Sequence, residues 1–138
     1  MKANSLKVMV VEDDLVSGKL LRMMVSELAD QVLVAADSHQ AFELYDSNPD
    51  IDVILMDIRL PGLNGYEITK KIRELNDKVI IIAQTACTYP EDIAKAFAVG
   101  CDDYIAKPIR TKNLIDMIWD NYHNKSPRRY LVSNICPN

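Results

Sequence analysis

The sequence predicts an α/β fold in which five parallel strands form one sheet covered on both faces by helices. Short apolar segments rich in β-branched residues alternate five times with segments whose apolar residues recur at helical spacing. The strand segments are apolar on both faces, which is typical of strands buried between two layers of helices. This alternation favours a doubly wound sheet with right-handed crossovers.

The composition fits one soluble domain of ordinary size. With 138 residues, 49% of them hydrophobic and 26% charged, the chain can bury a sizeable core. No apolar segment reaches membrane-spanning length and the N-terminus lacks the apolar core of a signal peptide, so we expect a cytoplasmic protein. The net charge is −4, and residues 124–138 hold cations but no acid, so the remainder is more acidic still. An acidic domain of this kind disfavours direct binding of nucleic acid.

The cysteines and histidines are not spaced for a disulfide framework or a zinc site. The 3 cysteines are scattered without C-x-x-C spacing, and both histidines, His39 and His123, fall in helical segments. We therefore interpret Cys87 and Cys101 as small apolar residues.

The first strand, over residues 7–11, ends in three consecutive acids. Glu12 and Asp13 follow the strand directly, and Asp14 is a candidate N-cap of the next helix. That helix extends to about residue 30, and its apolar residues at helical spacing are Val16, Leu20, Leu21, Met24, Val25 and Leu28.

A second strand follows over residues 31–36. Asp37 or Ser38 caps the second helix, which ends at Pro49. The apolar side of this helix consists of Ala41, Phe42, Leu44 and Tyr45.

The third strand, over residues 52–56, ends in Asp57 and passes at once into a loop rich in proline and glycine. A lone aspartate there is more often a turn-former or the cap of the following helix, so its interpretation depends on the other strand ends. Asn64 and Glu67 have the spacing of a capping box and open a third helix. The residues of this helix predicted to face inward are Ile68, Ile72 and Leu75.

The last two units follow the same plan. A fourth strand over residues 79–83 precedes Thr85, and a helix from Pro90 to Gly100 directs Ile93, Ala94, Phe97 and Ala98 inward. A fifth strand over residues 103–106 ends in Lys107. The fifth helix, capped by Thr111, carries the apolar residues Leu114, Ile115, Ile118, Trp119 and Tyr122.

The carboxyl ends of all strands in such a sheet lie at one edge, where ligands bind. That edge is predicted to collect Glu12, Asp13, Asp57, Thr85 and Lys107. Three adjacent carboxylates repel one another unless a cation lies between them, and a hard ion with oxygen ligands, such as Mg²⁺, fits better than zinc. A lysine and a hydroxyl beside Mg²⁺ suit a phosphoryl group, which makes Asp57 a candidate nucleophile that forms an aspartyl-phosphate.

These residues lie in motifs that resemble the receiver domain of a two-component response regulator. The matching segments are VVEDD, LMDIRLPGLNGYE, the Thr85–Ala86 pair and GCDDYIAKPI, and the likeness covers residues 6 to about 123. The resemblance implies a flavodoxin-like fold with strand order 2-1-3-4-5. Residues 1–124 would form the receiver domain, and residues 125–138 a tail or linker that we expect to be poorly ordered.

The resemblance also implies a role for each acidic residue at the edge. Asp57 would be the phosphoacceptor. Asp13 would bind Mg²⁺ directly and Glu12 would act through water, while Asp57 and the backbone carbonyl of Arg59 would complete the protein ligands.

The remaining site residues would respond to phosphorylation. Thr85 would hydrogen-bond the phosphoryl group, and Lys107, followed by a cis bond to Pro108, would form an ion pair with it. The modification adds about −1.5 to −2 charges. Tyr104 would turn inward as Thr85 is drawn to the new oxygens, and the surface of helix 4, strand 5 and helix 5 would change shape.

The implied partners are a histidine kinase or a phosphotransfer protein as phosphodonor, and an output partner or a homodimer at the helix 4, strand 5 and helix 5 surface. The domain would be a signalling switch that catalyses only its own phosphorylation and dephosphorylation. Arg59 and Cys87 are not suited to align an attacking water, so dephosphorylation is expected to be slow. The segments around Thr85 and GCDDYIAKPI resemble receivers attached to hybrid histidine kinases, which favours a fragment of such a protein.

Three other functions compete with this interpretation. A flavodoxin-like flavin carrier would have a phosphate loop rich in Ser, Thr or Gly after the first strand, where this chain has acids. A haloacid dehalogenase-like hydrolase would carry a second aspartate at the position of Arg59. A receiver-like docking domain that works without phosphorylation would not need the complete set of site residues.

Overall fold

The computed structural model describes residues 5–60, 64–86 and 89–124 of the chain. The elements are β1 (Leu6–Val11), α1 (Leu15–Val25), β2 (Ala29–Ala35), α2 (Ser38–Ser47), β3 (Val53–Asp57), α3 (Gly65–Leu75), β4 (Ile80–Thr85), α4 (Pro90–Val99), β5 (Asp103–Ala106) and α5 (Thr111–Asn124). All strand pairs are parallel, and the sheet order is β2-β1-β3-β4-β5. The predicted fold class and the strand order implied by the resemblance are therefore confirmed.

The sheet separates two apolar layers because alternate residues of each strand point to opposite faces. On β3, Ile54 and Met56 pack with residues of α2, α3 and α4, whereas Val53 and Leu55 pack with residues of α1 and α5. These four side chains are fully buried. The central strands are thus covered on both sides, as their continuous apolar sequence predicts.

The helix termini carry the signals read from the sequence. Asp14 accepts a hydrogen bond from the amide of Ser17, and Asp37 accepts one from Gln40. Both halves of the capping box between Asn64 and Glu67 are present. The helix α4 begins with Pro90 and is followed directly by its C-cap, Gly100, which has φ of 120°. Glycine suits this position because other residues rarely adopt such a φ.

Several predicted inward positions are wrong because helical spacing alone does not locate the edge of a buried face. Val16 and Leu20 of α1 are 73% and 50% exposed, while Leu21 and Val25 are buried. Leu75, at the end of α3, is 71% exposed. In α4, Ala94 and Ala98 are exposed, and Ile93 and Ala96 are the residues buried against the sheet.

Some predicted boundaries are also displaced. The helix α1 ends at Val25, so Leu28 is a buried residue of the turn before β2, which begins at Ala29. Thr111 is the first residue of α5 and not its cap. Cys101 is fully buried, as its interpretation as an apolar residue requires, while Cys87, Cys136 and residues 125–138 lie outside the described residues.

Arg73 connects the helix α3 to the start of β4 and to the loop between α4 and β5. Its Nε donates to the carbonyl of Gly100 at 2.7 Å, and its guanidinium also donates to the carbonyl of Val79 and to Asp102 Oδ2, both at 2.5 Å. The same carboxylate oxygen of Asp102 accepts from the amide of Ile81 at 2.9 Å. The Arg73 side chain is only 9% exposed, so these bonds are shielded from water.

None of the helices in the described part of the chain is long and apolar enough to span a membrane.

We predict that Asp102→Ala lowers the free energy of unfolding by about 3 kcal/mol, because it leaves the largely buried Arg73 guanidinium without its counter-ion. Asp116→Ala is the control, because it removes a carboxylate that pairs with Lys112 on the exposed face of α5, and it should change stability by less than about 1 kcal/mol. Urea unfolding monitored by circular dichroism measures both. Equal effects of the two substitutions would contradict a structural role for the Arg73 pair.

Candidate functional site

The carboxyl ends of β1, β3, β4 and β5 bring the predicted residues together at one edge of the sheet. Glu12, Asp57, Thr85 and Lys107 lie at these ends because each is at or just after the last residue of a strand. Asp13 follows Glu12, and Asp14 is occupied as the cap of α1. Of the three consecutive acids, Glu12 and Asp13 are therefore available to the site, while Asp14 belongs to the helix.

Three carboxylates form a cluster at this edge. One oxygen from each of Glu12, Asp13 and Asp57 lies within 4.8 Å of the others. Glu12 and Asp57 are buried, at 3% and 5% exposure, whereas Asp13 is exposed. The cluster is thus open to solvent on the side of Asp13.

The carboxylate of Asp57 is held by a hydrogen bond and an ion pair. Its Oδ1 accepts a hydrogen bond from the amide of Arg59 at 3.0 Å. Its Oδ2 lies 3.6 Å from the ammonium of Lys107. These contacts fix the side chain at the point where the buried strand β3 meets the loop.

Lys107 is the cation that balances the cluster. Its Nζ donates to Glu12 Oε1 at 3.2 Å, and its own amide donates to the carbonyl of Thr85 at 2.8 Å. The Lys107–Pro108 bond is cis, as the resemblance implies. Partial burial alone would lower the pKa of the ammonium, but the negative charges of Asp57 and Glu12 outweigh it, so the pKa of Lys107 is raised.

Glu12 is the carboxylate whose ionisation is opposed by its surroundings. Burial is the main cause of its raised pKa, and the nearby charge of Asp57 raises it further. The hydrogen bond from the amide of Asp14, at 3.1 Å, and the charge of Lys107 act in the opposite direction without cancelling the effect. The edge therefore carries a concentrated negative charge that a divalent cation would relieve.

The donor set fits a hard cation. All three side chains offer carboxylate oxygens, the ligands that Mg²⁺ prefers in proteins. Neither histidine belongs to the cluster, since His39 pairs with Glu43 on α2 and His123 stacks on Trp119 of α5. Proteins with a receiver domain typically bind Mg²⁺ at such an acidic pocket, and these residues are compatible with that ion.

A cavity of about 450 Å³ opens beside the cluster. Its lining includes Asp13, Arg59 and Thr85, together with Ile58 and Asn64. Thr85 Oγ1 donates to the carbonyl of Ala86 at 3.0 Å in this structure. The cavity is large enough for a phosphoryl group next to the carboxylates.

Tyr104 is buried close to Thr85, and its ring points toward the interior of the domain. Its ring is 6% exposed and meets Phe97 edge-on at 6.3 Å between centroids. Thr85 and Tyr104 border the same small void of about 10 Å³. Thr85 is therefore in a position to couple the cavity to the packing of the aromatic ring.

Two residues that lie against Asp57 were not identified as part of the site from the sequence. Gly65 looks like an ordinary loop glycine, but a Cβ atom there would lie 2.3 Å from the carbonyl oxygen of Asp57 and 2.8 Å from Ile58 Cα. Gln84 is a polar residue in an apolar strand and is fully buried next to Asp57 in the sheet. The interruption of the apolar run was the available signal for Gln84, whereas the close approach at Gly65 depends on tertiary structure.

Comparison with known proteins identifies the family that shares this arrangement. The family described as the response regulator receiver domain matches residues 8–119. Hybrid signal transduction histidine kinase L of Dictyostelium discoideum is 35% identical over 120 residues, which cover 81% of this chain and 7% of that protein. Regulatory protein VanRB of Enterococcus faecalis is 30% identical over 114 residues, covering 83% of this chain and 51% of that protein. The chain thus spans about half or less of the length of these curated relatives.

Solved structures agree with this match. The receiver domain of the Francisella response regulator 1452 superimposes with a TM-score of 0.79 and 28% sequence identity. The alignment covers 88% of this chain and 100% of that one.

We predict that Gly65→Ala disturbs the site, because the new methyl group would force the backbone at Asp57 to move, at a cost of about 1–3 kcal/mol. Gly18→Ala is the matched control, because a Cβ atom there meets only Val34 Cγ1 at an ordinary 3.5 Å. It should stabilise α1 by about 0.5–1 kcal/mol. Urea unfolding measures stability, and amide chemical shifts of Asp57 and Ile58 report displacement. Unchanged shifts in Gly65→Ala would contradict the steric argument.

We predict that Glu12→Gln stabilises the protein at neutral pH when EDTA removes divalent ions. Since the folded-state pKa of Glu12 lies above its ordinary value of 4.5, its contribution to stability is present below pH 4.5 and is lost as pH rises through the folded pKa. The advantage of Glu12→Gln should therefore grow with rising pH and level off, as measured by urea unfolding.

Asp50→Asn is the control of opposite sign for this experiment. The hydrogen bond from Lys7 lowers the pKa of Asp50, so its contribution is present above pH 3.8 and is lost as pH falls. Asp50→Asn should thus reduce stability at neutral pH. A loss of stability in Glu12→Gln at neutral pH would show that charge crowding does not destabilise the cluster.

Proposed function

The chain belongs to the response regulator receiver family, and we propose that it is a phosphorylation-activated switch whose phosphoacceptor is Asp57. The observation that carries this proposal is the position of the Asp57 carboxylate. It lies at the end of a buried strand, within 4.8 Å of two further carboxylates and 3.6 Å from an ammonium group, beside an open cavity. The family is a signalling family, and the proposed reaction is the modification of the domain itself.

Glu12, Asp13 and Asp57, together with the backbone carbonyl of Arg59, are the residues that would hold Mg²⁺. The bound ion would supply positive charge that neutralises the carboxylates and the oxygens of an incoming phosphoryl group. Asp13 is exposed and borders the cavity, which suits direct binding, while the buried Glu12 is engaged by Lys107 and by the amide of Asp14. This difference supports an indirect role for Glu12.

The phosphodonor would be a phosphohistidine on a histidine kinase or a phosphotransfer protein. A carboxylate oxygen of Asp57 attacks the phosphorus atom, the bond between phosphorus and the imidazole nitrogen breaks, and the imidazole leaves with the electron pair. Lys107 then pairs with the phosphoryl oxygens. Its raised pKa supports this role, because the ammonium stays protonated throughout the physiological pH range.

Thr85 would transmit the change to the surface of α4, β5 and α5. Its hydroxyl must leave the carbonyl of Ala86 to donate to the phosphoryl group, and this movement would alter the void that it shares with Tyr104. The inward position of Tyr104 is the one that the activated form would require. An output partner or a second copy of the domain would bind the altered surface.

We predict a gain of one phosphoryl group by intact mass after incubation with acetyl phosphate and Mg²⁺. Asp57→Asn should show no gain because the nucleophilic oxygen is lost. Asp13→Asn should slow the reaction at least about tenfold through weaker binding of Mg²⁺.

Asp14→Asn is the matched control for Asp13→Asn, because asparagine is also a good N-cap and Asp14 does not belong to the cluster. It should react at the rate of the unmodified sequence. No gain of mass with any phosphodonor would contradict the phosphoacceptor assignment and would favour a docking domain that works without phosphorylation.

A further inference from the structure

Gln84 is a buried polar side chain to which the proposed chemistry gives no function. It is fully buried on β4, and among the described residues the other buried polar or charged side chains are Glu12, Asp57 and Thr69. The residues before it on the strand, from 80 to 83, are all apolar. An amide in such surroundings loses its hydrogen bonds to water and must find partners in the protein.

The carboxamide of Gln84 lies next to the floor of the carboxylate cluster. Gln84 is the partner of Asp57 in the ladder between β3 and β4, and its carbonyl accepts from the amide of Ile58 at 3.3 Å. Its side-chain Nε2 donates to the carbonyl of Val11, the residue before Glu12, at 3.5 Å. Since β3 lies between β4 and β1 in the sheet, the side chain reaches this carbonyl only by crossing β3 beside Asp57.

The alternation of side chains supports this position. Val10, Leu55 and Ile82 belong to the apolar layer on the side of α1 and α5. Glu12, Asp57 and Gln84 each follow one of these residues by two positions, so they continue the same face of β1, β3 and β4. The three polar side chains thus form one row across three neighbouring strands.

The side-chain amide of Gln84 makes few and poor hydrogen bonds within the protein. The bond to Val11 is at the long limit for a hydrogen bond. Among the described residues Gln84 Oε1 has no hydrogen-bond partner, although it is buried. An apolar side chain here would remove the cost of burying Oε1 without a partner, but it would also take a donor from the Val11 carbonyl, and these two effects oppose each other. The amide therefore gives the fold little net stability at this position.

We infer that Gln84 is a positioning residue of the phosphorylation site, and this inference rests on the proposed function. Its carboxamide joins β4 to the end of β1 across β3, and so adds to the β1–β3 backbone pairing in holding Glu12 and Asp13 close to Asp57. A neutral amide makes this connection without adding another negative charge to the cluster. Gln84 also borders, with Glu12 and Lys107, a cavity of about 260 Å³, so the end of β1 is not fixed by dense packing on that side.

The test compares Gln84→Met with Ile82→Met. Methionine has a shape similar to glutamine but cannot donate to Val11, whereas Ile82 is equally buried on the same strand and face. Titration calorimetry measures binding of Mg²⁺ without a phosphodonor, intact mass measures the rate of phosphorylation by acetyl phosphate, and urea unfolding in EDTA measures stability.

Gln84→Met should have a stability close to that of the unmodified protein, yet bind Mg²⁺ about tenfold more weakly and react about tenfold more slowly. Ile82→Met should retain the Mg²⁺ affinity and the rate. Unchanged affinity and rate in Gln84→Met would overturn the inference. If Gln84→Met does not fold, Gln84→Leu provides the same comparison.

The two proposals fail in different ways. If the unmodified protein gains no phosphoryl group, the phosphoacceptor assignment fails, and the effect of Gln84→Met on Mg²⁺ affinity still decides the role of Gln84. If the unmodified protein is phosphorylated and Gln84→Met behaves identically, only the inference about Gln84 fails.

Discussion

The mutual repulsion of Glu12, Asp13 and Asp57 is the constraint to which the rest of the site is fitted. Their oxygens lie within 4.8 Å of one another, a distance at which two unit charges repel by about 3–4 kcal/mol at an effective dielectric constant of 20. Lys107 and two backbone amides offset part of this cost. The repulsion that these groups do not offset favours the binding of a cation at this edge of the sheet. It also makes the stability of the site depend on any change in the charge there.

Such a cluster needs a scaffold that does not relax. Parallel strands provide one because β3 is hydrogen-bonded on both edges and covered on both faces. The loop after Asp57 is further restricted by the start of α3, where Gly65 donates to the carbonyl of Ile58 at 2.9 Å. The carboxylates therefore cannot move far apart without disrupting backbone pairing, and their repulsion is retained in the folded state.

The parallel sheet and the convergence of charged residues at one edge could be predicted because they follow from local periodicity and parallel topology, whereas the strand order was implied only by the resemblance to receiver domains. The exposed positions of Val16 and Leu75 could not, since periodicity identifies an apolar stripe but not how far neighbouring elements cover it. The close approach of Gly65 to Asp57 and the contact of Gln84 with Val11 also escaped prediction. Each is a contact between two different elements of the folded chain, which the local sequence pattern does not report.

The anchoring of α4 differs between its two ends. At the carboxyl end, the Gly100 carbonyl is held by Arg73, and Asp102 just beyond it is held by the same guanidinium. At the amino end, Tyr89 makes no side-chain capping bond to the helix. In the first turn, the Tyr66 hydroxyl donates to the Asp92 carbonyl at 3.2 Å and Ile93 is buried against the sheet. Both ends of α4 are thus tied to α3, the carboxyl end by charged hydrogen bonds and the amino end by a neutral one, and charged hydrogen bonds are the stronger. Any displacement of α4 is therefore expected to be larger at its amino end, which lies near Thr85, than at Gly100.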